Sequence, residues 1–355
     1  LINMYSYKIF NSFKDCENYW KFEENEYSLS FFQELLFLKE LIKIGNTQIR
    51  IVFIFKSEKI IAILPLEIKR IYFLRTLQWL GTDFSDFCNP ILIKSEKFKI
   101  DQNSFLNIWQ EILNNIGNFD LIFLNKQLSN IENNENPFVK FFNTSKYSQI
   151  YNVLITKTFT DYKNEIKDKD KRHYYELHRT LLKFEKLKEN EEVFFKVDSS
   201  KEGILSLKEH ILKKRGQLEK KGVKNNFTKN FLKVFDNLTK EEKINFYLMS
   251  LKVNQETIAQ CLGFVFKNTF YYYIPLIASN KYNRFKPGKI LITEIIRWCI
   301  DNDIKKFDFG LGAEKYKKYF SNKKIDLHRY FEHVNLKGLI AYTLISFYLK
   351  LKLVF

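Results

Sequence analysis

Residues 307–320 read FDFGLGAEKYKKYF, and the fold and the chemistry of the chain are best approached from this stretch. Apolar residues alternate up to Gly310 and Gly312, a pattern typical of a buried strand that ends where no side chain fills the space beside it. A short helix-like segment then carries Tyr316 and Lys317. We expect the glycines to leave open backbone groups for a long, thin ligand, with the phenol and the ammonium group beside its reactive end.

The preceding segment, residues 282–298, reads YNRFKPGKILITEIIRW and predicts a helix start at Pro287 and Gly288. Proline suits the first turn of a helix, and glycine there lets a ligand approach the backbone N–H groups. Helix starts attract anions, and Arg284 and Lys289 add positive side chains. The segment therefore predicts a phosphate or pyrophosphate site.

The order of predicted elements occurs twice along the chain. Each half has three alternating, strand-like segments, then a helical pattern, then a short strand that begins with Phe-Asp. The segments lie at 47–55, 59–68, 71–81, 104–117 and 119–125 in the first half, and at 243–253, 256–266, 269–277, 289–302 and 307–312 in the second. An internal duplication explains this order, with each copy an antiparallel meander followed by a helix and a crossover strand. Chance similarity of apolar segments is the alternative.

Length and composition bound the domain organisation. The 355 residues exceed what one core usually holds, and 45% hydrophobic residues with 36 Phe and 20 Tyr suffice for two cores. We predict an N-terminal domain over residues 1–155, a C-terminal domain over 156–335 that includes a basic linker helix at 160–190, and an amphipathic helix over 336–355.

Metal and serine-hydrolase chemistry find little support in the sequence. The four cysteines and five histidines show no zinc-ligand spacing, and neither a Gly-x-Ser-x-Gly nor a phosphate-binding P-loop motif occurs. We therefore expect no metal site. The first ten residues lack the features of a signal peptide, so we expect a cytoplasmic protein.

The net charge of +17 indicates an anionic partner, although a codon bias toward lysine is an equal explanation. The linker helix could hold an anionic acceptor on its basic face, which includes Arg172, or that face could simply be solvated. Residues 339–349 are uncharged but too few to span a bilayer. The tail is expected to dock as an amphipathic helix, with contact to a membrane surface through residues 338–355 as the alternative.

Two motifs carry a family resemblance. KPGKILITEIIR followed by FDFGLGAEKYKKYF resembles the C-terminal half of the CelD-type acetyltransferases, a branch of the GNAT superfamily related to the FemAB peptidoglycan aminoacyltransferases. WLGTDFSDFCNP at residues 79–90 is similar to a Leu-Gly-x-x-x-Ser-Asp-Tyr-x-x-Pro segment of that family. The likeness extends over roughly residues 50–330.

The resemblance implies an α/β (α+β) fold of two tandem GNAT-like domains, each a mixed, largely antiparallel sheet flanked by helices. It implies an acyltransferase that uses acyl-CoA, such as acetyl-CoA, and a sugar amine or hydroxyl of an envelope or exopolysaccharide precursor as acceptor. Tyr316 matches the general acid toward the thiolate, and Lys317 the signature lysine. One departure is that Arg284-x-x-Pro287-Gly288-Lys289 replaces the usual Gln/Arg-x-x-Gly-x-Gly/Ala loop.

Four acidic residues have alternative interpretations. Asp308 is either catalytic or a strand-end cap, and Glu314 is either the general base or a first-turn helix acid. Asp83 and Asp86 could bind the acceptor, or belong to an ordinary polar turn.

Two further functions compete with acyl-CoA transfer. A FemAB-like enzyme would take aminoacyl-tRNA and use the positive charge to bind RNA. A non-catalytic relative would act as a membrane-associated scaffold of a polysaccharide synthase.

Overall fold

The computed structural model describes residues 5–20, 27–28, 30–43, 48–94, 100–155, 158–223, 225, 227–240 and 244–354. The chain divides into two compact units, Leu1–Ser148 with Asp326–Phe355, and Gln149–Ile325. The units are interleaved in sequence, because the chain returns to the first unit after completing the second. The sequence predicts contiguous domains that end at residues 155 and 335. These boundaries differ from the division into two units and remain a prediction.

The first unit is built on a mostly antiparallel sheet in the order β1-β3-β4-β5-β7-β16, with β6 added to β4 and β2 to β6. The β5–β7 pair is parallel. Its strands are β1 (Tyr5–Phe10), β2 (Tyr27–Ser28), β3 (Gln48–Lys56), β4 (Lys59–Ile71), β5 (Leu74–Trp79), β6 (Ile91–Ile93), β7 (Leu121–Leu128), the small pair β8 (Asn130–Ile131) and β9 (Asn134–Glu135), and β16 (Lys323–His333). Its helices are α1 (Phe13–Cys16), α2 (Leu35–Ile42), α3 (Gln102–Asn115), α4 (Pro137–Phe141) and α11 (Leu336–Val354), with a 3₁₀ turn at Phe31–Gln33.

The second unit has a sheet in the order β10-β15-β14-β13-β12-β11. Its strand pairs are antiparallel except the parallel pair of β14 and β15. Its strands are β10 (Ser145–Leu154), β11 (Val193–Ser199), β12 (Asn245–Val253), β13 (Glu256–Phe266), β14 (Thr269–Ile277) and β15 (Lys306–Leu311). Its helices are α5 (Phe159–Lys169), α6 (Lys171–Leu187), α7 (Ser200–Lys220), α8 (Lys229–Leu238), α9 (Pro287–Asp301) and α10 (Lys315–Phe320), with a 3₁₀ turn at Asn283–Phe285.

The predicted repetition of elements is present in the topology. In the first unit β3, β4 and β5 form a meander, α3 follows, and β7 joins β5 in parallel. In the second unit β12, β13 and β14 form the meander, α9 follows, and β15 joins β14 in parallel. Even the first turn is alike, since both central residues have positive φ in Ser57–Glu58 and in Asn254–Gln255. The predicted fold class, mixed and largely antiparallel sheets flanked by helices, is confirmed.

The helix of each repeat is placed by its apolar face. In α3, Asp101 caps the first turn by accepting from the N–H of Ser104 at 2.9 Å, and Phe105, Ile108 and Ile112 are buried in the core. Helix α9 buries a wider face, since it packs against β12, β13 and β14. Its buried residues are Pro287, Ile290, Leu291, Ile292, Thr293, Ile295, Ile296 and Cys299.

The linker predicted as one helix over residues 160–190 consists of two helices. Asp170 has an extended φ of −154° and separates α5 from α6. Its side chain accepts from the N–H of His173 at 2.9 Å, so the same residue ends one helix and caps the next. The predicted tail helix is present as α11. Within the described parts of the chain, no helix is long and apolar enough to cross a bilayer.

Candidate active site in the second unit

A cavity of about 570 Å³ lies in the second unit, where the start of α9 meets β14. Helix α7 forms another wall, and the turn between β15 and α10 closes one side. The lining residues are Lys214, Gln217, Lys221, Tyr272, Pro275, Leu276, Ile277, Asn283, Lys286, Pro287, Gly288, Lys289, Leu291, Ile292, Glu314 and Tyr316.

The predicted helix start forms part of this cavity. Lys286 adopts a left-handed conformation with φ 51°, and α9 begins at Pro287. A Cβ on Gly288 would come within 3.0 Å of Ile277 Cδ1, so glycine allows the first turn to approach β14 closely. Because the first turn of a helix has N–H groups that the helix itself leaves unpaired, this wall suits an anion.

Lysines from three segments surround this helix start. Lys286 and Lys289 both bond the Glu176 carboxylate on α6, the latter at 2.9 Å. The hydrogen bond from Lys286, and then that from Lys289, lower the pKa of Glu176 to about 2. On α7, Lys214 and Lys221 point to the same cavity. Burial, and then the charge of Lys221, lower the pKa of Lys214.

The residues on α7 were not identified from the sequence. Lys214, Gln217 and Lys221 follow a three-then-four spacing, which places them on one helix face. That spacing was the sequence signal from which these residues could have been identified. It is hard to recognise because lysines also occupy positions on the other faces of the same segment.

Tyr316 lies in the cavity wall beside Glu314. Its ring packs edge-on against Phe309, with 6.1 Å between the ring centroids. Burial, and then the charge of Glu314, raise the pKa of the Tyr316 phenol well above its ordinary value. The phenol therefore remains protonated at neutral pH and can donate a proton to an anion that develops next to it.

Lys317 points away from the cavity and into the protein. It is 4% exposed, donates to the main-chain oxygen of Leu311 at 2.7 Å and pairs with Glu314 at 2.9 Å. These bonds hold the turn between β15 and α10.

Asp308 is also buried and engaged inside the fold. Its Oδ1 accepts from the N–H of Gly310 at 2.8 Å, and burial raises the pKa of its carboxyl group. This contact corresponds to the strand-end interpretation of Asp308.

The two glycines of this stretch do not provide free amides. The N–H of Gly310 donates to Asp308, and that of Gly312 donates to the main-chain oxygen of Gln149 at 3.1 Å. The expectation of open N–H groups at these positions is therefore wrong. Both residues have positive φ, 69° for Gly310 and 125° for Gly312, and this conformation is the physical reason for glycine.

The strand edge that is available to a ligand lies instead where β14 and β15 separate. Their parallel pairing joins residues 269–271 to residues 306–308, and β14 continues to Ile277. Tyr272, Pro275, Leu276 and Ile277 in that continuation line the cavity. A strand edge whose pairing with its neighbour ends at Tyr271 can pair beyond that point with the amides of an extended ligand.

The other predicted site residues lie outside the cavity wall. Arg284 stacks over the ring of Phe285 at 4.8 Å, and Arg172 is exposed on the first turn of α6. Asp83 and Asp86 belong to the first unit, in the loop after β5, where Asp83 pairs with Lys69. In the part of the chain that the structure describes, no group of three or more His, Cys, Asp or Glu residues is arranged to hold a metal ion.

Residues 172–318 match the family model described as an acetyltransferase (GNAT) domain. The matched segment lies within the second unit. It contains every residue of the cavity wall, from Lys214 to Tyr316. The protein is accordingly an acyltransferase, and a GNAT domain implies an acyl-CoA donor and an acceptor. A search of curated proteins found no significant match.

Solved structures show the same fold at low sequence identity. FemX shares 10% identity with a TM-score of 0.55, over 89% of this chain and 94% of FemX. The C-terminal domain of a putative lysylphosphatidylglycerol synthetase from Agrobacterium fabrum shares 9% identity with a TM-score of 0.52, over 86% of this chain and 90% of that domain. At such identities the likeness extends to the fold alone.

Proposed function

We propose that the protein transfers an acyl group, most simply acetyl, from acyl-CoA to an amine or hydroxyl of a sugar in an envelope or exopolysaccharide precursor. One observation carries the donor assignment. A single cavity combines the glycine-containing start of α9, four lysines and the protonated phenol of Tyr316. Its volume lies within the usual range of ligand pockets, which is roughly 300–1,000 Å³.

Three parts of an acyl-CoA molecule would find suitable partners in the cavity. The pyrophosphate would lie at Gly288, within reach of Lys289 and the two lysines of α7. The pantetheine arm would run along the free edge of β14, where its amides can pair with the strand. This arrangement would bring the thioester to Tyr316, at the far side of the same cavity.

The proposed reaction is direct attack of the acceptor on the thioester. The acceptor nitrogen or oxygen forms a bond to the carbonyl carbon, the carbon–sulfur bond breaks, and the departing sulfur takes the proton of Tyr316. Glu314, which lines the same cavity, is our candidate for receiving the acceptor's proton. Asp308 and Lys317 then act as positioning residues, since both brace the strand end that precedes Tyr316.

The acceptor class has weaker support than the donor. It rests on the resemblance to the CelD-type enzymes. Asp83, Asp86 and Arg172 are our candidates for acceptor binding. Because acyl-CoA is a cytoplasmic metabolite, the proposal implies action in the cytoplasm.

The test is a calorimetric titration of acetyl-CoA and of CoA into the full chain. Wild type is compared with Gly288→Glu, which places a carboxylate at the proposed pyrophosphate site. The matched control is Gly216→Glu on α7, where an added Cβ meets nothing within 4 Å. We expect micromolar binding by wild type and by the control, and at least a tenfold loss in Gly288→Glu.

Absence of binding to the folded wild type would overturn acyl-CoA as the donor. Binding of aminoacyl-tRNA is then measured at two salt concentrations, since an RNA complex weakens steeply with salt. Equal loss of binding in both glutamate variants would show a general effect of added negative charge, and would overturn the placement of the pyrophosphate.

A further inference from the structure

The first unit exposes large apolar side chains at the tip of the β4–β5 hairpin. Tyr72 is 90% exposed and Phe73 is 65% exposed. Single exposed apolar residues are common on soluble proteins. Two adjacent exposed aromatic rings on a hairpin tip are instead typical of an interaction surface.

Helix α11 exposes a second set of apolar side chains. Leu336 and Leu344 are 76% and 66% exposed, and the other large members of the set are Leu339, Ile340, Phe347 and Tyr348. A surface helix that only packs on its own domain presents polar residues to water. The exposed side of α11 instead presents large apolar residues to water.

The hairpin tip and α11 touch each other. Lys337, in the first turn of α11, donates to the main-chain oxygen of Phe73, and its ammonium group lies 5.7 Å from the Phe73 ring centroid. The two sets therefore adjoin at the first turn of α11, and we consider them together as one candidate docking surface. We call it the apolar surface: Tyr72, Phe73 and the exposed apolar residues of α11.

The start of α11 is fixed firmly on the first unit. A Cβ on Gly338 would lie 1.9 Å from the main-chain oxygen of Asp120, so only glycine allows this approach. Asn335 accepts from the N–H of Gly338 at 2.8 Å and donates to the Asp120 carboxylate at 3.0 Å. Further along, Tyr342 packs on Phe331 with 4.8 Å between ring centroids. These contacts fix which side of α11 packs on the first unit. The opposite side of the helix is therefore exposed.

The charge near this surface is positive. Residues 336–355 contain three lysines, Lys337, Lys350 and Lys352, and no acidic residue, in a chain of net charge +17. A second copy of the chain would bring the same positive charge to such a contact. An anionic lipid surface is complementary, since its negative potential attracts lysines near it.

We propose that the apolar surface docks the protein on a bilayer that contains anionic phospholipids. Helix α11 lies in the plane of the headgroups with its apolar side toward the acyl chains, and the two aromatic rings of the hairpin insert beside it. Lys337, in the first turn of the helix, binds a phosphate group. This inference is independent of the donor proposal, because no residue of the cavity takes part.

The experiment is flotation of the full chain with vesicles of phosphatidylcholine alone and of an equal mixture with phosphatidylglycerol. Wild type is compared with Tyr72→Ser/Phe73→Ser and with Leu344→Gln/Phe347→Gln. The control is Leu205→Gln on α7, an apolar residue of the second unit that is 79% exposed. Thermal melting and acetyl-CoA titration of every variant establish that the fold and the cavity are retained.

We expect wild type and the control to float with the mixed vesicles and each double variant to lose at least tenfold in membrane affinity. High salt should weaken wild-type binding. Absence of flotation, or equal flotation with neutral vesicles, would overturn the proposal. Self-association in sedimentation experiments that both double variants abolish, without membrane binding, would reassign the apolar surface to a contact between copies.

Discussion

Lys317 donates its ammonium group to the main-chain oxygen of Leu311 at 2.7 Å, across the turn that leads from β15 to Tyr316. It also lies 3.4 Å from the oxygen of Gly310 and pairs with Glu314. A buried charge that satisfies the last carbonyl groups of a strand fixes the direction in which the next helix leaves it. The position of the phenol in the cavity therefore depends on a lysine that does not itself line the cavity.

We predict that Lys317→Met lowers the free energy of unfolding by about 2 kcal/mol, the usual scale for losing a hydrogen bond from a charged group. The activity should fall as well, because Tyr316 loses its fixed position. Denaturant unfolding and steady-state kinetics measure the two effects, with exposed Lys315→Met as the control. A variant as stable as the control but inactive would mean that Lys317 has a chemical role.

Tyr316→Phe tests the general acid directly. Removing the proton donor should lower kcat by about 10²- to 10⁴-fold, while the Kd for acetyl-CoA stays near that of wild type. Thiol release from acetyl-CoA reports the rate, and calorimetry reports the affinity. Tyr319→Phe is the matched control, because Tyr319 lies on the same helix but stacks on His173 at 4.4 Å. Comparable losses in both variants would contradict a specific role for Tyr316.

The raised pKa of the Tyr316 phenol also predicts how kcat depends on pH above neutrality. Because burial raises the pKa of Tyr316, its acid form persists above the ordinary tyrosine value of about 10. Wild-type kcat should show no decrease from Tyr316 ionisation up to that pH. A decrease near pH 9 that disappears in Tyr316→Phe would show that the phenol ionises too early to have this role.

The fold was predictable from the sequence because its signals are local. Alternation, turn positions and the apolar face of α3 each depend on residues within one segment, and they gave the repeated order of elements. The linker break at Asp170 was missed, since a strong helical pattern continues on both sides of it.

The site was only partly predictable because its geometry depends on contacts distant in sequence. The N–H of Gly312 is satisfied by Gln149, which belongs to another strand, so a local pattern suggests a free donor where none exists. The α9 start was recognisable because proline and glycine mark it. Lys214 and Lys221 were not, because only the folded unit shows which face of a helix with lysines on several faces turns toward the cavity.

Glu176 holds Lys286 and Lys289, two lysines of the cavity wall, and we assign Lys289 to the donor phosphates. Its carboxylate is ionised at neutral pH, since hydrogen bonds from Lys286 and then Lys289 lower its pKa to about 2. The acid therefore competes with a bound anion. We predict that Glu176→Gln tightens CoA binding by about two- to fivefold, the range expected for exposed ion pairs.

Calorimetry at low and at high salt tests this competition. The gain should shrink at high salt, because exposed charges are then screened. Glu185→Gln is the control, since Glu185 lies on the same helix but pairs with Lys188. If Glu176→Gln weakens binding instead, the carboxylate orients the lysines for the phosphates and does not compete with them.

Two buried histidines predict how stability depends on pH. Burial, and then the charge of Lys289, lower the pKa of His173, while burial is also the largest cause of the lowered pKa of His210. The unfolded chain therefore binds these protons at a higher pH than the folded chain does. Stability should be greatest above the ordinary histidine pKa of 6.5 and fall as the pH decreases below it.

The substitution His173→Phe isolates the contribution of His173 to the pH dependence of stability. Both ring nitrogens of His173 are buried without a hydrogen-bond partner in the described structure, and its ring stacks on Tyr319, so an aromatic replacement keeps the stack and removes the desolvated nitrogens. The variant should be at least as stable as wild type at pH 7.5, and its advantage should increase toward pH 5.5. Each histidine contributes at most about 1.4 kcal/mol per pH unit to the slope. Urea unfolding across this interval measures it, and an identical slope in variant and wild type would mean that His173 accepts its proton equally well in the folded chain.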